Sequence, residues 1–205
     1  MTKTSLKLCA AAVLALAGAA AQAAIVTDGN FAEGASAGSF TTVSGGGSIG
    51  AWNVTGDSVD LIGNYWQQAP GGSYTVDLDG NGVGGVSQFL TLANGSYYVS
   101  FYLSGNPDGG DATKSVLVSA GDASQAFTFT TGSNSHADMG YVRETMKFNI
   151  YDGATVLSFD SQDARSYWGP VIGNVAVSAV PESAPLPMLA AGLGVLALLA
   201  RRRRA

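Results

Sequence analysis

Apolar and polar side chains alternate in short runs along most of this chain, and Gly, Asn, Asp or Pro interrupt them. The runs read SVDLIG, SYTVDLDG, SQFLTL, SYYVSFYLSG, KSVLVSAG, QAFTFTT, TMKFNIYD, TVLSFDS and NVAVSAV. Each has about six to ten residues, rich in Val, Tyr, Phe and Thr, which is the signature of half-buried strands between turns. In YYVSFYLS the period of two puts Tyr97, Val99, Phe101 and Leu103 on one face and Tyr98, Ser100 and Tyr102 on the other. Trp52, in GAWNV, is expected to open a further core strand. The glycine- and serine-rich stretch 34–50 is predicted to be a mobile loop. No segment between residues 24 and 179 carries a capped 3.6-residue stripe, so the pattern predicts an all-β domain of about nine to eleven strands, a jelly-roll β-sandwich.

Both ends of the chain break that pattern. Residues 1–23 join a basic start, MTKTSLK, to the apolar run LCAAAVLALAGAA and the small-x-small site Ala21-Gln22-Ala23, which predicts a cleaved signal peptide and export. Residues 186–200, LPMLAAGLGVLALLA, are 15 residues without a charge and run directly into Arg201, Arg202, Arg203 and Arg204. A short apolar helix with arginines on one side only is oriented with those arginines in the cytoplasm, as a stop to export. The sandwich is thereby placed outside, anchored at first in the inner membrane.

With the motif VPES at Val180, Pro181, Glu182 and Ser183, this tail resembles a PEP-CTERM sorting signal, which an exosortase-type enzyme processes. The resemblance covers residues 180–205 and departs at Ser183, where the motif's second proline is expected. It implies that the helix is a transient membrane partner and that the domain is released to the cell surface or extracellular matrix.

Charge narrows the partners. Only 12% of the residues are charged, against about 25% in an average soluble protein. Between residues 24 and 180 there are four Lys and Arg against 14 Asp and Glu, a net −10. Phosphate neutralisation needs clustered basic side chains, so nucleic acid is excluded as a partner. The single cysteine, Cys9, falls in the signal peptide, and the exported part must hold together without disulfides.

A second resemblance rests on NFAEG, AWNVTGDSVDLIGNYWQQAPGG, YTVDLDGNGVGGVSQ, SFYLSGNPDGG and GPVIGNVAV, in that order. This series resembles the choice-of-anchor C exported proteins, which are similar to a plant cell-wall domain family with a galactose-binding-like jelly roll. The resemblance implies a non-catalytic module associated with extracellular polysaccharide. The family usually carries Asp where this chain has Gly173, so any tether that Asp makes is missing here.

Catalytic patterns match only by letter. GASAG and GGSIG fit G-x-S-x-G without a strand-to-helix elbow, and the single histidine, His136, lies in the polar segment TGSNSHADMG. Gly45, Gly47 and Gly50 fit G-x-G-x-x-G with no helix after them to receive a pyrophosphate. The pairs Asp57/Asp60 and Asp160/Asp163 have the types a glycosidase uses but the spacing of solvated strand faces. The expectation is a protein that is not an enzyme. DLDGNG matches the first half of a calcium loop through Asp77, Asp79 and Asn81, but position twelve is Gln88 rather than a bidentate Glu, which excludes an EF-hand. A structural calcium at those three residues, or at Asp108 and Asp111, is the one cofactor suggested. The bland alternative is a strand end with Asp77 and Asp79 facing outward.

Sugar rings stack on aromatic faces while amides and carboxylates bond their hydroxyls. Tyr65, Trp66 and Gln67, in GNYWQQAPGG, are therefore the first candidates for a polysaccharide site, with Trp168 of SYWGP beside them. A matrix or envelope protein that engages other proteins without specific sugar binding is the rival reading.

Overall fold

The computed structural model describes residues 25–33, 38–164 and 167–181. The signal peptide, Glu182, the helix 186–200 and Arg201 to Arg204 lie outside the described residues. Twelve strands follow in order: β1 (Phe40–Ser44), β2 (Ser48–Ile49), β3 (Trp52–Gly56), β4 (Ser58–Ile62), β5 (Thr75–Asp77), β6 (Gly84–Thr91), β7 (Gly95–Gly105), β8 (Thr113–Ala120), β9 (Ala123–Thr130), β10 (Val142–Ile150), β11 (Ala154–Ser161) and β12 (Pro170–Ala179). They form two six-stranded antiparallel sheets, ordered β1-β4-β5-β12-β7-β10 and β2-β3-β6-β11-β8-β9. The fold is a jelly-roll β-sandwich, and no helix occurs among the described residues.

Alternation accounts for the layers. Every one of the nine alternating runs forms a strand, β4 to β12, and the Trp52 run forms β3. In β7 the inward set Tyr97, Val99, Phe101 and Leu103 is buried, and the outward set is half-buried or exposed. Trp52, Phe101 and Phe159 meet between the sheets. The Phe101 and Phe159 rings are 5.0 Å apart edge to face, and the Trp52 indole donates to the Asp28 carbonyl at 2.9 Å.

The stretch predicted to be a mobile loop, 34–50, is corrected over residues 38–50, which contain β1 and β2. β1 pairs with β4 from Phe40↔Ile62 to Ser44↔Ser58, yet four of its five side chains are exposed. Its backbone ladder stabilises it rather than a buried face, so it leaves no hydrophobic period in the sequence.

Strands β4, β5 and β12 turn a second, smaller core outward. Ile62 and Val171 are buried there under Trp66, from the β4–β5 loop, and Met139, from the β9–β10 loop. Two loops thus roof part of one sheet's outer face and leave a cleft beside them. β12 carries a bulge between Gly173 and Ala176, with Asn174 at φ 48°. A Cβ on Gly173 would stand 2.6 Å from the Ala69 methyl and 2.8 Å from Thr75 Cγ2. Glycine at 173 is therefore what lets the β4–β5 loop seat on the sheet. An Asp there would lift it.

Candidate functional site

The cleft is assembled from six places in the chain. Phe40 and Thr42 come from β1, and Asp60 from the facing position on β4. Asp77 ends β5, and Asn81 lies in the turn that follows. Asn106 and Asp108 lie in the β7–β8 turn, Tyr65 in the β4–β5 loop, and Tyr167 and Trp168 directly before β12. Two aromatic pairs border it. On the β1 side the Phe40 and Tyr65 rings are 5.6 Å apart, and on the β12 side Tyr167 and Trp168 are 6.1 Å apart. Their exposures are 48%, 37%, 62% and 38%, unusual for such large rings. Between the pairs the floor is carboxylate and amide.

Hydrogen bonds explain why these groups converge. Asp77 is fully buried. Its Oδ1 accepts from the Asp79 and Gly169 amides, both at 3.0 Å, and its Oδ2 from Asn106 Nδ2 at 2.7 Å. One carboxylate thereby ties β5 to the β7–β8 turn and to the segment that presents Trp168. Lys114, also fully buried, donates to the carbonyls of Gly109 and Trp168 from behind. The indole lies so close to Gly109 that a Cβ there would stand 3.1 Å from the ring. On the other side Asp108 accepts from the Tyr65 hydroxyl at 3.0 Å and pairs with His136 Nε2 at 2.6 Å. The Tyr65 and His136 rings are 4.7 Å apart, so the histidine backs the tyrosine.

Residues 24–178 match the family described as "Protein of unknown function (DUF642)". The chain belongs to the DUF642 family. Among solved structures, this DUF642 domain is similar to TmCBM61 in complex with β-1,4-galactotriose, over 78% of its own chain and 100% of the other, at 16% identity and a TM-score of 0.50. It is also similar to a native family 35 carbohydrate-binding module from Clostridium thermocellum, over 68% and 99%, at 14% identity and a TM-score of 0.46. No curated protein matches. At such identities the likeness is one of fold alone, the jelly-roll β-sandwich.

Two expectations about the DUF642 site are corrected. Trp66 borders the cleft but is not an exposed platform: it is 5% exposed, packs on Ile62, Met139 and Val171, and donates from its indole to Thr75 Oγ1 at 3.2 Å. Gln67 is structural as well. Its Oε1 accepts from the Met139 amide at 2.8 Å, and its carbonyl accepts from the Tyr141 hydroxyl. Both residues staple the two roof loops together. Tyr65 and Trp168 line the cleft. Phe40, Asp60, Asn106 and Tyr167 join them without having been singled out as ligand contacts. Lys114 had a legible signal: in KSVLVSA it is in phase with the inward Val116 and Val118.

Asp77 and Asp79 do not face outward; both are buried. Asp77's oxygens are taken by N–H donors, which leaves little for a cation, and burial raises its carboxyl well above the usual range. Neither oxygen of Asp79 makes a hydrogen bond. Burial pushes that carboxyl up to about 6; Ser161 opposes the shift, though it lies outside hydrogen-bonding geometry. Asn81 engages Ser58 through its backbone amide. Among the described residues no cluster of three or more acidic, histidine or cysteine ligands is arranged for a metal. The same accounting bears on catalysis. Asp60 and Asp77 face each other across β4 and β5, but a nucleophile or general acid needs a free oxygen at the reacting bond. Asp77 has both of its oxygens engaged.

Proposed function

We propose that this DUF642 chain is a non-catalytic exported protein that binds or organises extracellular polysaccharide through the cleft between Phe40–Tyr65 and Tyr167–Trp168. One observation carries the reading: two exposed aromatic pairs border a floor of carboxylates and amides on one sheet face. Rings of that kind stack on the apolar faces of sugars, and the floor accepts and donates to their hydroxyls. TmCBM61, with the same fold, holds β-1,4-galactotriose, so β-1,4-galactan heads the panel of polysaccharides to be tried. Trp168→Ala is expected to leave the melting temperature within a few degrees, because Lys114 holds this segment through the Trp168 backbone carbonyl, which the substitution keeps. The same change is expected to remove retention on the polysaccharide that the wild type binds, read by affinity electrophoresis. Undiminished retention moves the site elsewhere.

Export and sorting belong to the same proposal. β12 ends at Ala179, and the Val180 amide donates to the Ser96 carbonyl at 2.9 Å, so Pro181 stands at the exit of the sandwich. Exosortase-type cleavage there would release an intact domain. Protein recovered from its native host is expected to lack everything beyond the neighbourhood of Ser183. An intact mass that includes the four arginines refutes sorting and leaves a tail anchor.

A matrix role through protein contacts has one observation in its favour. On the opposite sheet Phe89 and Val156 face each other in register and are 65% and 52% exposed. Phe89→Ser weakening self-association or co-purification, with polysaccharide retention unchanged, would support that second role.

A further inference from the structure

The charge of the cleft narrows its ligand. Asp60 stands directly opposite Asp77 in the β4–β5 register, and like charges so placed repel. Asp60 Oδ1 accepts from the Thr42 hydroxyl at 2.6 Å, while no described residue donates to its Oδ2. Asp77 itself is buried under its three N–H donors, so Asp60 is the carboxylate of the pair that a ligand can reach. Asp108 adds a third carboxylate to the lining, and no Lys or Arg is present among the described lining residues.

Among the described residues, the cations near the cleft do not reach the pair. Lys114 is buried behind Trp168 and spends its ammonium on two carbonyls. His136 is bound to Asp108, and Arg143, on β10, donates to Ser100. The remaining neighbour is Asp79, whose carboxylate adds to the negative field on Asp77. Burial already holds both Asp60 and Asp77 above the ordinary carboxylate range.

We infer that the cleft takes a saccharide unit carrying a protonated amine, with its ammonium against the Asp60 carboxylate and its ring against the bordering aromatics. An ammonium offers three donors and a positive charge where a hydroxyl offers one donor and none, so it answers the open Asp60 oxygen and offsets the charge of the acidic floor. The inference rests on the carbohydrate reading of the same cleft.

The test is calorimetry on the full chain in a polyoxyethylene detergent, which presents no sugar, at about pH 6 so that the sugar amine is protonated. The probes are a β-1,4-linked glucosamine tetramer and its N-acetylated counterpart, which is neutral and otherwise alike. The amine form is expected to bind about tenfold tighter or more, a difference of about 1.4 kcal/mol. Asp60→Asn, nearly isosteric, is expected to abolish that preference. Thr42→Lys, on the exposed edge strand, is expected to abolish it too by placing a cation beside Asp60, and it serves if the first variant misfolds. Equal affinities, or a preference that survives both substitutions, overturn the inference. If the neutral tetramer or β-1,4-galactan still binds and is lost in Trp168→Ala, the carbohydrate reading stands and only the ammonium is refuted. If no glycan binds, both fall.

Discussion

Trp66→Ala is expected to destabilise the protein by about 3–5 kcal/mol, the cost of truncating a large buried aromatic. For a domain of this size that is a fall in melting temperature of roughly 10 °C or more. The ring fills the small outer core over Ile62 and Val171, and its loss leaves a cavity between the sheet and the Met139 loop. It also strands the Thr75 hydroxyl, which is fully buried. The loss is expected to spread to the cleft, because Tyr65 sits next in sequence and its ring packs 5.5 Å from Trp66. Trp66→Ala and Trp168→Ala should therefore both lose polysaccharide retention, and only the first should lose stability. Denaturant melts of the two variants side by side check this. A Trp66→Ala protein as stable as the wild type would show that the roof loops do not depend on the ring.

Asp79→Asn is expected to stabilise the protein above neutral pH. In the unfolded chain this carboxyl titrates near its ordinary 3.8, and burial in the fold pushes it up to about 6. Between those values the folded state binds more protons than the unfolded state, so stability falls as pH rises. Below about pH 3 both states are protonated and the group costs nothing; above about pH 7 the full cost, on the order of 3 kcal/mol, is present. The asparagine has no charge to desolvate, so its melting temperature should exceed the wild type's at about pH 7.5 and approach it at about pH 4. Asp77 and Asp163 are also raised by burial and give the wild type a slope of the same sign, which the variant retains. A bound calcium reverses the outcome. Asp79 would then be a ligand, Asp79→Asn would destabilise, and EDTA would lower the wild-type melting temperature. Melting curves of both proteins across pH, with and without chelator, separate the two cases.

The legible part of the site was its aromatic vocabulary. Tyr65 and Trp168 each stand among Gly, Asn, Gln or Pro, in segments without strand period, where a large ring has no obvious core to join. The same reasoning applied equally to Trp66 and failed there. Adjacent loop residues point opposite ways, and nothing local says which of the two turns down onto the sheet. Gln67 misled for a related reason, since an amide in a loop serves a ligand or a neighbouring backbone equally well. Lys114 could have been found: a lone lysine on the inward phase of an alternating strand needs a buried partner, and such partners are found where loops are being held.

Local pattern by itself determined strands β3 to β12 and the two-layer architecture, and in β7 and β8 the inward set as well, because a period of two records directly which face is buried. It also determined the acidity of the domain between residues 24 and 180. Tertiary structure alone decided what covers the outer faces. Phe40, Asp60, Asp77, Asn106 and Trp168 converge only because antiparallel pairing sets β1, β4, β5 and β12 side by side and Asp77 draws the β7–β8 turn to them. β1 itself became a strand through pairing, with almost no buried side chain to announce it. A binding cleft made from six separated segments has no period, and the hydrogen bonds that close it depend on distance in space rather than along the chain.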